Sequence, residues 1–596
     1  MLKPACVICL LFGAISLIMS EVGATRALPA SGALRSADAH AKWDALVDEY
    51  FEQAYFKFNP TAGTNAGLHQ YDPVLEDYSR ASVDRQIHTL HLFEERVAAF
   101  DVTSLDETEA ADQQLVLSNI LGTLLTLETI RPWEKNPDIY SSGICESAFT
   151  IMSRRFASPN DRLRSLVARE KQMPAVFAAA LDNLNNPPRI YTQIAIEQLP
   201  GIIDFFRKDV PAAFADATDA SLQAEFAKSN TTVIAALEGY QRWLNSTLLP
   251  RSQGDFRIGA DTFSQKLQFD EMVDIPLDKL LEIGFADLHK NQAAFSATAK
   301  EIDSDKTPRQ VLAELQADHP TPDHLLQSFR DTFDSLIAFI NDKHIIGIPS
   351  QIRPTLEETP PFERATTFAS MDTPSPFEKV ATEAYFNVTV PDKHDPPAKV
   401  AGLMASFNRG TIVSTAVHEA YPGHYVQFLW MHEAPTKVRK LLGANSNAEG
   451  WAHYCEQMML DEGYGQPGAG AKTKREAKLL RLGQLEDALL RDARFVVGIQ
   501  MHTGKMSFDQ AVQFFVKEGY QSRETALVET KRGTADPTYL YYTLGKLEIL
   551  KLREDLRKKE GAAFSLEKFH DDFMRQGFPP IKIVRRALLG DDSPAL

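Results

Sequence analysis

Val417-His418-Glu419-Ala420-Tyr421-Pro422-Gly423-His424-Tyr425-Val426-Gln427 is the stretch that decides how this chain is read. It sets two histidines and a glutamate within seven residues, behind an apolar lead-in from Thr411 to Ala416. Neutral imidazole is a good zinc ligand, and a carboxylate beside it can take a proton from a water on the metal. In the familiar helical arrangement, H-E-x-x-H, the histidines stand at i and i+4 on one face. Here the second stands at i+6. Six residues turn a helix by about 600°, leaving the rings roughly 120° apart in direction and roughly 9 Å apart along the axis. Nitrogens that share one zinc ion lie within roughly 3–3.5 Å. A straight helix cannot meet that limit. Pro422 removes a backbone donor and Gly423 accepts unusual dihedrals. The pair predicts a two-residue bulge that returns His424 to the place of the usual i+4 histidine. The competing reading is a proline-kinked core helix with incidental histidines.

Twenty-five residues after His424 comes Glu449, in Asn447-Ala448-Glu449-Gly450-Trp451-Ala452-His453-Tyr454-Cys455-Glu456. Glu449, His453 and Glu456 are spaced i, i+4, i+7 and share one helical face. Trp451, Tyr454, Met458, Met459 and Leu460 argue that this helix is buried rather than a surface salt-bridge helix. A carboxylate facing inward on such a helix wants a cation. Glu449 is therefore a candidate metal ligand and Glu456 a candidate partner behind the ligands. His453 is either a second supporting group or a satisfied polar residue.

The HEAYPGH block followed by EGWA-x-Y-x-E resembles the bacterial "domain of unknown function 885" family. That family is similar to helical glutamate-type zinc peptidases of the neurolysin, angiotensin-converting-enzyme and carboxypeptidase Taq kind. The resemblance implies one zinc ion held by His418, His424 and Glu449, with Glu419 as the general base. It extends to P-x-x-x-T-x-x-G-x-H-x-Y-D from Pro60 to Asp72, to Arg257-Ile258-Gly259, and to Phe569-His570-Asp571 with Gly577-Phe578-Pro579. Arg494 to Gly504 resembles the family block R-x-x-V-D-x-G-x-H, but Gly498 replaces its aspartate and Gln500 its glycine. His502 keeps the histidine and is a candidate supporting or substrate-contact residue. In Asp536-Pro537-Thr538-Tyr539-Leu540-Tyr541-Tyr542, Tyr542 takes the position of the family tyrosine, aimed at an oxyanion. With Tyr539 and Tyr541 so close, the sequence does not say which phenol faces the site. Arg553 either binds a substrate carboxylate bidentately or fixes the fold.

The chain has 596 residues, 44 % hydrophobic and 24 % charged, as expected of a soluble globular protein. Its net charge of −17 disfavours nucleic acid or anionic membrane as a partner. Lys3, an apolar run from Val7 to Met19, and Val22-Gly23-Ala24 read as a signal peptide over residues 1–24, with a mature start near Thr25. Export to the periplasm or the extracellular space follows, with no stable membrane insertion after processing. Of four cysteines, Cys6 and Cys9 lie in that segment. Cys145 and Cys455 remain, too few to staple so large a fold, and the sequence leaves open whether they pair.

Trp43, Leu46, Val47, Tyr50, Phe51 and Ala54 mark an amphipathic helix that stops before Asn59-Pro60. Pro60 to Asp72 reads as a turn-rich loop, with His69 at the site rim or in loop packing. From Ser82 to about Ala235 the chain reads as long helices, broken at Pro187-Pro188 and Pro200-Gly201. A soft boundary at Pro250–Asp255 divides an N-terminal helical half, 25–250, from a catalytic half, 251–596, within one continuous family domain of about 40–590. The best strand is Ala384 to Val390. In zinc peptidases of this kind an edge strand near the metal pairs with an extended substrate, which makes Asn387 a candidate substrate contact; a plain hairpin is the competing reading.

The expectation is a mainly α, zinc-peptidase-like fold with a deep cleft and a very small β-sheet near the metal. The expected function is zinc-dependent hydrolysis of short or unfolded peptides. The alternatives are a zinc hydrolase of non-peptide amides or esters and a non-catalytic metal- or peptide-binding protein.

Overall fold

The computed structural model describes residues 30–359, 368–375, 377–392 and 394–596, with side chains from residue 38 onward. The signal-peptide reading of residues 1–24 lies outside them. The fold is mainly α with a tiny sheet, as the helical periodicity predicts. Trp43, Leu46, Val47, Tyr50, Phe51 and Ala54 are all buried, along a helix from Ala30 to Tyr50 that continues through Phe51–Tyr55 and Phe56–Phe58. Several helix starts carry side-chain caps. The Asp106 side chain accepts the Glu109 N–H at 2.9 Å and Glu109 reaches back to the Asp106 N–H, closing a capping box on the helix Glu107–Leu124.

Two proline readings are corrected. Pro60 opens a short helix, Pro60–Asn65, rather than a loop. It occupies the first turn, where its missing N–H has no helical partner to lose. Pro200 lies inside the helix Arg189–Asp204 rather than ending it. Tyr191, Ile194, Ala195, Leu199, Ile202 and Ile203 on that helix are buried. Burial of such side chains, at about 1.5–3 kcal/mol each, outweighs the roughly 3 kcal/mol that an interior proline costs.

One apolar core lies within residues 75–248 and is joined by Ala381 from further along the chain. A second crosses between the halves: Trp43, Phe51, Leu115 and Ile120 pack with Met431, Val438, Leu441 and Phe578. A third surrounds the 417–430 segment and includes Phe333, Phe386, Val417, Tyr421, Trp451 and Phe573. Its sheet is β1 (Thr355–Glu358), β2 (Ala369–Asp372) and β3 (Tyr385–Val388), in the order β1-β3-β2. β3 pairs parallel with β1 and antiparallel with β2, with Phe386 opposite both Leu356 and Met371. The strand expected at 384–390 as a substrate-pairing edge is thus the central strand, and both of its edges carry chain. Phe386 packs against Phe329 and Phe333, which fixes it inward.

The helices Leu277–Ile302, Lys474–His502 and Tyr541–Glu560 share a buried polar tie. Lys546 donates to Asp287 at 2.6 Å, while Asn291 and Thr543 donate to Asp492 at 2.7 and 3.0 Å. Buried charges demand such satisfied geometry, so the tie fixes the register of the three helices. Among the described residues no helix is long and apolar enough to cross a membrane.

Candidate metal centre

The helix Arg409–Glu419 starts at Asn408, whose side chain accepts the Thr411 N–H at 3.0 Å, and buries Ile412, Val413, Ala416 and Val417. Regular bonding fails after Glu419. The Gly423 N–H reaches the Val417 carbonyl at 2.9 Å, and the Val426 N–H reaches that of Ala420 at 3.4 Å. Each bond spans six residues where a helix spans four, so the backbone absorbs two extra residues. Helical bonding resumes over His424–Trp430, with the Gln427 N–H on the Gly423 carbonyl at 3.1 Å. The predicted bulge takes the form of a break between two helices, with a cis Tyr421–Pro422 peptide inside it. Gly423 is required there by close approach. A Cβ on it would lie 1.8 Å from the His418 carbonyl oxygen and 2.3 Å from that of Val417. The Trp451 indole N–H donates to the Pro422 carbonyl at 2.9 Å and pins the break onto the Glu449 helix.

That helix, Asn445–Asp461, crosses Tyr541–Glu560 at two glycines. A Cβ on Gly450 would lie 2.5 Å from the Gly545 Cα, and one on Gly545 would lie 1.8 Å from the Ser446 carbonyl oxygen. The backbones touch, which brings the first turn of the Tyr541–Glu560 helix beside Glu449. Glu271 steadies the start of the Glu449 helix by accepting the Ser446 N–H at 2.9 Å.

The result is a convergence of three buried side chains. Glu449 Oε2 lies 3.3 Å from His418 Nε2 and 3.5 Å from His424 Nε2. The two imidazoles stand nearly perpendicular, at 88°, with ring centres 4.9 Å apart. Bonds of about 2.0–2.1 Å in a tetrahedron set ligand atoms roughly 3.3–3.4 Å apart. The observed separations match that span, and two imidazoles with one carboxylate are a donor set suited to zinc. Glu449 Oε2 is buried without a hydrogen-bond partner among the described residues, as an atom reserved for a cation would be. His40, Asp106 and Glu109 also approach one another. There the capping box already accounts for both carboxylates, and Asp106 is exposed.

Behind the three candidate ligands lies Glu456. Its Oε1 accepts from His418 Nδ1 at 2.7 Å and forms an ion pair with Arg491 Nη2 at 2.9 Å, and its Oε2 accepts from His453 Nδ1 at 3.2 Å. The hydrogen bond from Nδ1 to Glu456 directs His418 Nε2 toward Glu449, where the neutral ring would offer an ion its lone pair. His424 Nδ1, by contrast, is buried without a partner among the described residues. Electrostatics follow the geometry. Burial favours neutral His418, but Glu449 and Glu456 outweigh it and hold the imidazole at about 10. Burial also opposes the Glu449 charge, yet the two histidines keep that carboxyl well below its usual range. Burial, reinforced by Lys546, pushes His453 down to about 3, so it is neutral.

Glu419 follows His418 directly and is only partly buried, unlike His418, His424 and Glu449. The three tyrosines separate by what their hydroxyls do. Tyr539 is fully buried, its hydroxyl without a partner among the described residues and its ring against Gly498 and Gly533. The Tyr541 O–H donates to Asp536 at 3.0 Å. The Tyr542 oxygen accepts from Arg532 Nη2 at 3.4 Å, which leaves its own proton available. The Tyr542 phenol is raised by burial and next by the Glu449 charge, a mark of its nearness to the cluster.

The remaining candidates are not members of the three-residue cluster. Arg553 donates to Tyr454 at 3.1 Å and to Glu462 at 2.5 Å, which fixes the fold around the Glu449 helix. His502 bonds the Gly533 carbonyl through Nε2 at 2.7 Å and packs near Phe256 and Phe263. Asn387 is buried on the central strand. His69 is held in loop packing by Asp72 at 3.1 Å and Glu378 at 3.2 Å, stacked on Phe156. Cys145 and Cys455 are both thiols. Sequence reasoning missed Arg491, Arg532 and Asp536. A signal existed for Arg491: Leu489-Leu490-Arg491-Asp492-Ala493-Arg494-Phe495-Val496-Val497 embeds charges in an apolar helix.

Two solved structures are similar over almost the whole chain. One, described as "a putative lipoprotein of unknown function from Shewanella oneidensis", is 26 % identical with a TM-score of 0.75, covering 94 % of this chain and 100 % of that one. The other, described as "the putative lipoprotein from Colwellia psychrerythraea", is 17 % identical with a TM-score of 0.76, covering 94 % and 99 %, and shares the fold. No curated protein matches the chain. Residues 60–588 match the family described as "Bacterial protein of unknown function (DUF885)", and the chain belongs to that family.

Proposed function

We propose that this protein is an exported zinc-dependent hydrolase of amide bonds in short or unfolded peptides. The observation that carries the reading is the meeting of His418, His424 and Glu449 at ligand spacing, with Glu419 next in sequence to the first of them. A divalent ion held by those three residues supplies the Lewis acidity that lets a water lose a proton near neutral pH. Glu419 takes that proton as the water oxygen bonds to the carbonyl carbon. Tyr542 donates its free phenolic proton in a hydrogen bond to the carbonyl oxygen as negative charge gathers there. The carbon–nitrogen bond then breaks, and Glu419 passes its proton to the leaving nitrogen. Glu456 holds His418 in the ligating tautomer throughout.

Burial supports the size limit. His418, His424 and Glu449 are only 8 %, 5 % and 9 % exposed, which argues against the surface of a folded protein and favours a short or unfolded peptide as substrate. Export is supported by the signal-like start of the chain and by the lipoprotein descriptions of the two similar structures. A mature N-terminus near Thr25 in a periplasmic or culture fraction is the expected result, and an unprocessed cytoplasmic chain refutes it.

The deciding experiment is mass-spectrometric digestion of a mixed peptide library, with and without chelator, beside a panel of esters and non-peptide amides. Chelator-sensitive peptide products are expected. Glu419→Gln should keep the zinc and lose turnover by about 10²–10⁴-fold. Unchanged turnover in that variant overturns the mechanism, and turnover of esters alone overturns the substrate class.

A further inference from the structure

The helix Lys474–His502 supplies none of the three candidate ligands, yet one of its side chains reaches the group behind them. Arg491 Nη2 lies 2.9 Å from the Glu456 oxygen that also receives His418 Nδ1. Its Nη1 donates to the Asp487 carbonyl at 3.1 Å and lies 3.6 Å from the Asp487 carboxylate. That carboxylate accepts from Ser414 at 2.6 Å, one helical turn before His418. The guanidinium also sits 5.8 Å from the centre of the Tyr542 ring. One planar cation therefore joins the His418 helix, the Glu449 helix and the Tyr542 helix. Its side chain is only 12 % exposed, and that of Glu456 is fully buried.

We propose that Arg491 is a positioning residue of the metal centre, orienting Glu456 so that His418 presents Nε2 to the ion. A buried carboxylate that receives two imidazole N–H groups still needs a full counter-charge. Arg491 is a permanently charged group in contact with it, and its planar fork faces Glu456 and Asp487 together, a geometry that a lysine ammonium does not reproduce. The inference rests on the metal-binding part of the proposed function and not on peptide hydrolysis.

The test is zinc affinity, measured by competition with a chromophoric chelator, in wild type, Arg491→Met, Arg491→Lys, Glu456→Gln and the double variant Glu456→Gln/Arg491→Met. Loss of a partner behind a ligand typically weakens metal binding by about 10–100-fold. Arg491→Met and Glu456→Gln should each fall in that range, and the double variant should be no weaker than Glu456→Gln alone. Arg491→Lys should recover part of the loss. Where substrate turnover is measured, kcat should fall with KM unchanged. Wild-type affinity in Arg491→Met, or additive losses in the double variant, overturn the proposal. If Arg491→Met does not fold, Arg491→Lys decides: affinity equal to wild type overturns it and a weakening of several-fold supports it. A chain that binds zinc with this dependence but cleaves no peptide refutes the hydrolase reading alone. A wild type that binds no zinc refutes both.

Discussion

Gly423→Ala puts the geometry of the helix break to a quantitative test. The new Cβ would stand 1.8 Å from the His418 carbonyl oxygen, where real Cβ atoms essentially never come closer than 3.0 Å. Both obstructing atoms are backbone carbonyls, so no side chain can swing aside. The His418 carbonyl and Gly423 must part by about 1.2 Å, the difference between those two distances. That displacement falls between the two imidazoles. Metal–ligand distances tolerate roughly ±0.2 Å, several times less than the required shift. The strain of overpacking costs about 1–3 kcal/mol of stability, and a misplacement near 1 Å costs about 10²-fold in turnover. Gly402 is the control: a Cβ there meets nothing within 4 Å, in the helix Pro397–Ser406. Gly402→Ala should be neutral or stabilise by up to about 1 kcal/mol. The assay is zinc affinity by chelator competition, with thermal melts of the metal-free chains. A Gly423→Ala chain that melts and binds zinc like Gly402→Ala would refute the reading of the break as the device that joins the two histidines.

Two further outcomes follow from hydrogen-bond roles and charge. Tyr542→Phe should lower kcat by about 10²–10³-fold with KM unchanged, as expected for a donor used only as charge develops. Tyr541→Phe, whose proton already belongs to Asp536, should cost much less; the reverse order in steady-state kinetics rejects the assignment. His69 gives a pH dependence. Burial pulls its imidazole down, but Asp72 and Glu378 outweigh burial and hold it at about 9. Its stabilisation is therefore complete below its ordinary value of 6.5 and is lost as pH rises through about 9. Burial raises Glu378, but His69 and two backbone N–H groups prevail and hold it at about 2, so its share survives above 4.5 and fades as pH falls toward 2. His69 is about one-third exposed, which limits the pair to about 1 kcal/mol. His69→Gln should flatten the fall in melting temperature between pH 6.5 and 9.5, and an unchanged slope removes the clamp.

The helices were legible because burial repeats along them: Trp43, Leu46, Val47 and Tyr50 announce one face without any knowledge of what covers it. Pro60 and Pro200 misled because a proline signal is local. In one case the first turn accepts it, and in the other the apolar face around Leu199 and Ile202 outweighs it. The 384–390 strand was legible as a strand but not as a central one. Neighbours in a sheet come from elsewhere in the sequence, here from Thr355–Glu358 and Ala369–Asp372. The same division runs through the site. His418, His424 and Glu449 could be found from spacing. Arg491, Arg532 and Asp536 come to these side chains from distant parts of the sequence, and only packing reveals which phenol keeps its proton.

The two histidines are also held by different means, which explains why the break is built as it is. His418 lies inside a regular helix and takes its orientation from a hydrogen bond, through Nδ1 to Glu456. His424 Nδ1 has no such partner among the described residues. Its direction must come from the backbone that delivers it and from packing beside Phe428. The backbone there is fixed by three constraints: the Gly423 N–H on Val417, the Val426 N–H on Ala420, and the Trp451 indole on the Pro422 carbonyl. A ligand placed by a hydrogen bond survives small backbone errors, because the ring can turn to follow its partner. One placed by the backbone alone cannot. The side of the site nearest Gly423 is therefore its least forgiving part, and changes at Trp451 or Gly423 should damage metal binding more than changes of equal size around His453.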